Sequence, residues 1–297
     1  MITATTMHLS ERILRRQGTL RFFARKGLAK LPYLPVPIRL TLAAGSHLNI
    51  WWSYLSETDI AGLSLTDYWS SDQAELRFLW NFLRPGMTFF DVGAYHGIYS
   101  VVAAKRLGSQ GRIIAFEPSA RERHRLALHL QMNDVNISIE PYAITSQAGS
   151  FRFFTVESGF TTMNSLVFPP VQNPVRQTSV RGVCFDEYMA TKDIGYPDLL
   201  KIDIEGGELC AFRGASQMLE SIRPVIICEV LDWVTAPWGY HSSEIVKLLN
   251  SFDYQWFDFR DDGTLSAHTQ REQYPEVRNY LAVPREKLSK VELWRRS

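Results

Sequence analysis

From residue 85 to residue 285 the chain alternates between two apolar patterns. Short continuous runs occur in TFFDVGA (88–94), RIIAFEP (112–118), DLLKIDI (198–204) and PVIICEV (224–230), with looser ones in NISIEPYAI (136–144), YQWFDFR (254–260) and NYLAVP (279–284). Between them, apolar residues recur every third or fourth position. GIYSVVAAKRLG (97–108) does this, as do the segment carrying Leu126 and Leu130, residues 207–220 (Leu209, Phe212, Leu219) and residues 242–252 (Ile245, Leu248, Leu249, Phe252). A run with no polar face is a strand covered on both sides, and a period near 3.6 is an amphipathic helix. Their alternation predicts an α/β fold, a mostly parallel Rossmann-like sheet with helices on both faces. Ser119-Ala-Arg-Glu122 reads as a capping box opening the second of these helices. Residues 149–190 break the rhythm, and SFRFFTV and QTSVRGV around FPPVQNP read there as an inserted hairpin.

Ahead of this region the pattern changes twice. Ser10 can cap a helix over 11–31, LPYLPVP (31–37) reads as a linker, and RLTLAAGSHLNIWW (39–52) reads as two strands around a Gly45 turn. A helix over 72–84 then stops at Pro85-Gly86. The expected organisation is a basic N-terminal helical extension (1–38), a hairpin and helix (39–84), and the α/β domain (85–290). The formal net charge is +1, but residues 1–40 hold eight cationic side chains against Glu11 alone, so the body is net acidic. An acidic body argues against a duplex-binding enzyme, which needs a cationic face for phosphates, so no nucleic-acid partner is expected. The basic extension can meet an anionic membrane surface weakly, or pack on the domain or on a second subunit in a homo-oligomer. No run of 18 apolar residues predicts a transmembrane segment, and the N-terminus lacks the apolar core of a signal peptide. Cys184, Cys210 and Cys228 have no metal-ligand spacing and read as buried free thiols, which fits a cytoplasmic location.

In open parallel sheets ligands bind beyond the carboxyl ends of the strands. Four of those ends carry acids: Asp91 before Val92-Gly93, Glu117 before Pro118, Asp203 and Glu205 before Gly206, and Glu229. The turn DVGAYHG places Gly93 for a tight bend and Gly97 at a helix start whose free N–H groups attract an anion. It is not the dinucleotide pattern G-x-G-x-x-G, because Tyr95 stands where the second glycine would be. Asp91 suits an ammonium group better than a pyrophosphate. Glu117 is placed to accept both hydroxyls of a ribose. Together they favour S-adenosyl-L-methionine over NAD, against the plain alternative of a tight turn with a solvated Glu117.

FFDVGAYHGIYS, GRIIAFEPS, LLKIDIEGGELCAFRGA and RPVIICEV, in that order, resemble the FkbM-type S-adenosylmethionine-dependent methyltransferases, a resemblance read over 40–285. The resemblance implies a class I methyltransferase fold, a seven-stranded sheet whose last strand runs antiparallel, and methyl transfer to a hydroxyl. The acceptors it implies are sugars or polyketide-like natural products. It also implies that Asp91, Gly93, Ala94 and Gly97 hold the methionine part, Glu117 and Pro118 the ribose side, and Ala143 the adenine edge. The family has Asn after Gly-Ala, where this chain has Tyr95.

An alcohol attacks a methyl group well only once deprotonated, which calls for a base or a metal. Asp203 fits either role, and Glu229 at the next strand end can complete a carboxylate pair for Mg²⁺. Asp203 can also serve only to hold the ammonium or the following helix. Glu205 reads as a cap for the helix starting at Gly206, and Lys201 as a counter-ion. His241, in LDWVTAPWGYHSSE with Trp233, Trp238 and Tyr240, either lines the acceptor pocket as a catalytic group or flanks the helix at Ser242. His96 reads as pointing to solvent, and His124 and His129 as surface residues. Trp51, Trp52, Tyr54, Tyr68 and Trp69 read as packing of the N-terminal hairpin or as a lid. Two other classes stay open: a noncatalytic interaction protein that keeps the fold, and an NAD-dependent oxidoreductase, which the glycine spacing disfavours.

Overall fold

The computed structural model describes residues 35–42, 46–53, 73–157, 161–192 and 195–295. The basic helix expected over 11–31, and Tyr54, Tyr68 and Trp69, lie outside the described residues. Strands β1 (Pro35–Leu42) and β2 (Ser46–Ser53) form an antiparallel hairpin. Then come α1 (Gln73–Phe82), β3 (Thr88–Val92), α2 (Ile98–Leu107), β4 (Arg112–Phe116), α3 (Ala120–Met132), β5 (Ser138–Glu140) and β6 (Tyr142–Ile144). The inserted pair is β7 (Gly149–Val156) and β8 (Val175–Val183), followed by α4 (Phe185–Thr191), β9 (Leu199–Ile202), α5 (Glu208–Arg213) and β10 (Val225–Glu229). The chain closes with α6 (Asp232–Thr235), α7 (Ser243–Ser251), β11 (Tyr254–Phe259), β12 (Leu265–Ala267) and β13 (Asn279–Pro284).

The large sheet runs β12-β11-β13-β10-β9-β3-β4-β5. β3, β4, β5, β9 and β10 pair in parallel, and β13 inserts antiparallel between β10 and β11. Without the short edge strand β12 this is a seven-stranded sheet whose last strand is antiparallel, the class I methyltransferase arrangement. The chain leaves β3 outward through β4 and β5, then returns across it to β9, so the order reverses between β3 and β9. That reversal is the crevice where such sheets bind ligands.

Alternate residues of each strand feed opposite faces. Phe89, Ile113, Leu199 and Ile227 join one core with Val101 of α2 and Leu126 of α3. Phe90, Ile114, Leu200 and Ile226 join the other with Phe185, Phe212 and Ile245 of α4, α5 and α7. Both neighbours in Phe89-Phe90 are fully buried, which is why the strands read as unbroken apolar runs. Leu76, Phe78, Leu79 and Phe82 of α1 lie in the first core, so this helix is built into the α/β unit. The described residues contain no helix long and apolar enough to cross a membrane.

The structure differs from the sequence expectation in three places. Strand β1 reaches back to Pro35, into the stretch read as a linker. A two-stranded hairpin leaves each strand one unpaired edge, where a proline's missing N–H costs no ladder bond. The strand expected over 136–144 is two: β5 closes the large sheet and β6 belongs to a three-stranded sheet β6-β8-β7, with Pro141 between them. The helix expected over 207–220 stops at Gly214, and a separate helical turn, Met218–Ile222, is capped by the Asp186 carboxylate accepting from the N–H of Gln217 (2.8 Å) and Met218 (3.0 Å).

Gly214 marks the break because other segments press on it: a Cβ there would lie 2.4 Å from the Thr145 carbonyl oxygen and 2.9 Å from Cys184 Cβ. Its φ of −92° is one that alanine adopts freely, so the cost of Gly214→Ala is steric alone. The substitution is expected to lower stability by about 1–3 kcal/mol, read as a lower urea midpoint at unchanged slope.

Candidate active site

The site grows from the β3 end. The N–H groups of Gly93 and Ala94 both donate to the Phe116 carbonyl, at 3.0 and 3.1 Å, tying the turn to β4. Gly93 has φ +77°, and a Cβ on it would sit 1.9 Å from the Asp203 carbonyl oxygen, so the ends of β3 and β9 touch at the glycine. Tyr95 follows with φ +49°, a left-handed conformation that Asn adopts readily and a bulky residue adopts at about 1–2 kcal/mol. Two contacts hold it there. Its ring stacks on His96 with centroids 3.6 Å apart, and its hydroxyl shares a 2.6 Å hydrogen bond with Thr161 of the inserted segment.

Glu117 sits opposite. Its carboxylate accepts from the Tyr95 N–H (2.9 Å) and the Ser119 N–H (2.8 Å), which orients it. Burial pushes its pKa up to about 7 against those two hydrogen bonds.

Beneath the turn lies a buried ionic cluster. The Glu122 carboxylate, fully inaccessible, is 2.7 Å from His96 Nε2, accepts from Arg121 Nε and Asn164 Nδ2, and lies 3.5 Å from Arg125. Burial alone would raise its pKa. The His96 hydrogen bond and the charges of His96, Arg121 and Arg125 outweigh that and hold it at about 2. His129 Nδ1 pairs with the His96 carbonyl at 2.8 Å. His96 and His129 are therefore buried, not solvent-facing as their surroundings in the sequence suggested. The inner face of α3 packs directly under the turn.

Between these parts lies a cavity, partly open to solvent. Gly93 and Tyr95 border one side, Glu117, Pro118 and Tyr142 to Ile144 another. The inserted segment closes a third with Phe153, Thr162 and Asn164 to Leu166, and Asp203, Ile204, Glu205 and Trp238 form the far end. Five predicted positions meet here: Gly93, Glu117, Pro118, Ala143 and Asp203. Asp91 and Ala94 are buried behind the turn. Asp91 faces Lys201 on the neighbouring strand, takes a 2.6 Å hydrogen bond from Ser100 on one oxygen, and keeps the other buried with no partner among the described residues. Gly97 does not present a free N–H: it donates to Ala94 at 2.7 Å, and its missing side chain lets Leu126 of α3 approach.

The acidic end differs from expectation in three respects. The helix begins at Glu208, whose own carboxylate turns back to accept the Ile204 N–H at 2.8 Å. Glu205 therefore does not cap it; Glu205 adopts φ +56° and lines the cavity. Glu229 is buried at the β10 end, off the cavity, with its pKa driven well up by burial and then by Asp203, Glu205 and Glu208. His241 is exposed at the start of α7, where its N–H meets the Glu244 carboxylate at 3.3 Å, and it does not border the cavity. From its loop Trp238 reaches the cavity, donating from Nε1 to the Glu205 carbonyl at 3.0 Å. Among the described residues no three His, Cys, Asp or Glu side chains are grouped so as to hold a metal ion, and no step below uses Mg²⁺ on Asp203 and Glu229.

The family model of the methyltransferase FkbM domain matches residues 91–285, from the acid before the turn to the end of β13. The chain belongs to this family. It is 22% identical over 156 residues to the hexuronic acid methyltransferase AglP of Haloferax volcanii, a match covering 52% of this chain and 61% of that protein. Among solved structures it is similar to the methyltransferase FkbM from Methylobacillus flagellatus (17% identity, TM-score 0.45, 74% of this chain and 51% of that one). Another is the O-methyltransferase from Bacillus cereus in complex with SAH (11% identity, TM-score 0.41, 70% and 79%). The chain thus spans about half to three fifths of the length of the first two. Within this FkbM domain the residues that sequence reasoning passed over, Tyr142, Phe153 and 162–166, come from β6 and the inserted segment. Only tertiary folding brings them over the β3–β9 crevice.

Removing the Glu122 charge tests the cluster under the turn. Glu122→Gln removes the buried charge that His96, Arg121 and Arg125 converge on and is expected to cost about 3–5 kcal/mol. Because folding lowers this carboxyl from 4.5 to about 2, its contribution is complete above the unfolded value and is lost as pH falls from 4.5 through 2. Urea unfolding of wild type and variant across that window should show the gap close on the acid side.

Proposed function

We propose that the protein is an S-adenosylmethionine-dependent O-methyltransferase acting on a hydroxyl of a sugar or similarly hydroxylated natural product. The observation that carries this reading is the cavity at the β3–β9 reversal, with an oriented carboxylate at one end and an acidic strand terminus at the other. The residues fit the cofactor. Glu117 has both oxygens fixed by backbone N–H groups and still has lone pairs for two ribose hydroxyls. Ala143, small and on the cavity wall, leaves room for a flat base beside Tyr142. Gly93 and the Tyr95 main chain border the space for the amino-acid part, with Asp91 and its unpartnered oxygen behind them as a source of negative potential for an ammonium group. When bound, the cofactor supplies a methyl group on a positively charged sulfur.

The chain's own task is then alignment and proton removal. The cavity walls hold the acceptor oxygen in line and keep water away, which supplies most of the entropic advantage. The carboxylates at the β9 end accept the hydroxyl proton. Lys201, 3.2 Å from Asp203 and directly across from Asp91, keeps these acids from repelling one another outright. A sugar acceptor is supported by the similarity to a hexuronic acid methyltransferase and by Trp238 in the cavity wall, since aromatic faces stack on sugar rings.

Calorimetric titration with S-adenosylmethionine, S-adenosylhomocysteine and NADH separates the classes. Micromolar affinity for the first two alone is expected. Binding of NADH alone would favour an oxidoreductase, and binding of none a noncatalytic protein. Transfer of labelled methyl to a panel of methyl glycosides of hexoses, aminohexoses and hexuronic acids then tests the acceptor. Glu117→Gln turns an amide nitrogen toward a backbone N–H and weakens the ribose contacts, and it should raise the Kd for S-adenosylhomocysteine about ten- to a hundredfold.

A further inference from the structure

We infer that Glu205, not Asp203, is the group that takes the proton from the acceptor hydroxyl. The assignment rests on the methyltransferase reading above and concerns the same cavity. Both residues line it, but they are held differently. Asp203 has a cation at 3.2 Å in Lys201, itself almost wholly buried, so its charge is balanced inside the protein. Around Glu205 the charges are mostly acids: Asp203 on the same loop, Glu208 on α5 and Glu229 on β10, with Lys201 of β9 as the weaker opposing influence. Two neighbouring carboxyls in such unlike environments are suited to different roles, and the one without a cation beside it is the better proton acceptor. Burial, then Asp203 and Glu208, drive the Glu205 pKa well up, in the direction a base working near neutral pH requires.

The backbone argues the same way. Glu205 holds a left-handed conformation, uncommon for a side chain of its size, and the surrounding structure over-determines it. Its carbonyl accepts from Trp238 Nε1 at 3.0 Å and from Ser165 Oγ at 3.1 Å. The next carbonyl, of Gly206, accepts from the Tyr240 hydroxyl at 2.7 Å. Gly206 itself has φ +91°, and a Cβ on it would meet the Val234 carbonyl at 2.2 Å. Ser165 belongs to the inserted segment, and Trp238 and Tyr240 to the loop after β10. The two segments that wall the acceptor side thus fix the peptide from which Glu205 projects. Bracing the loop before α5 is a task taken by Glu208, whose carboxylate accepts the Ile204 N–H.

In the step this assigns, the acceptor's O–H proton passes to the Glu205 carboxylate. The oxygen's electron pair forms the new bond to the methyl carbon, and the pair of the broken carbon–sulfur bond goes to sulfur. The proton later leaves to solvent through the cavity mouth.

The test uses the full chain, the methyl glycoside panel above, and Glu205→Gln, Glu205→Asp and Asp203→Asn. For Glu205→Gln, kcat should fall about 10²–10⁴-fold. Its Kd for S-adenosylhomocysteine should stay within about twofold of wild type, corresponding to less than half a kcal/mol. The rise of wild-type kcat with pH should vanish in Glu205→Gln, shift in Glu205→Asp with partial activity, and persist in Asp203→Asn. Independently of turnover, infrared difference spectra should show a protonated carboxyl in wild type that disappears on raising the pH and is missing from Glu205→Gln. Retention of more than about a tenth of wild-type kcat in Glu205→Gln, or loss of the pH rise in Asp203→Asn alone, overturns the assignment. Loss of S-adenosylhomocysteine binding in Glu205→Gln would make its role structural and equally overturns it. If wild type binds the cofactor but methylates none of the panel, the sugar reading fails, and this assignment with it.

Discussion

The close approach of two strand ends organises everything functional in this protein. At Gly93 the β3 turn lies against the Asp203 carbonyl with no space for even a methyl group, and Asp203 in turn donates its N–H to Val92 at 3.1 Å. The contact closes the bottom of the crevice where the sheet order reverses. It sets the Glu117 side and the acidic side of the cavity at a fixed separation. A side chain at Gly93 would pry the two apart.

Such a joint needs backing, and the backing is ionic. Glu122 is sealed from water, yet it is gripped by His96 from the turn, Arg121 and Arg125 from its own helix, and Asn164 from the inserted segment. Arg121 also donates to the Val156 carbonyl at 2.9 Å, at the end of β7. A buried carboxylate is costly to desolvate and returns that cost only when its partners are well placed. Any shift of turn, helix or insertion therefore loses several hydrogen bonds at once. Tyr95 adds a second tie through Thr161. Tyr95 thus links the β3 turn to the inserted segment that closes one wall of the cavity.

Much of the Glu117 half of the cavity was legible along the chain because it is local. The strand–turn–helix at 88–107 and the acid after the next strand are fixed by spacings of a few residues, and Gly93, Glu117 and Pro118 line the cavity accordingly. The acidic half was less legible. Asp203, Glu205, Glu208 and Glu229 look alike in sequence. Their division into a lysine-paired acid, a cavity acid, a brace on the Ile204 N–H and a buried strand-end acid depends on neighbours from several elements. His241 illustrates the same point: its loop does reach the cavity, but through Trp238, with the histidine turned to solvent.

The amino-acid sequence by itself determined the layered α/β fold, the order of its strands and helices, and the acids at the strand ends. Hydrophobic period and turn chemistry act over a few residues and survive in any single segment. Tertiary structure alone decided which of those acids share a cavity, which histidines are buried, and that Pro141 hands the chain to a second sheet whose insertion closes the site. Those outcomes depend on burial and on groups brought together from far apart in the chain, 26 positions for His96 and Glu122 and 40 for Ser165 and Glu205, and no local pattern encodes such a distance.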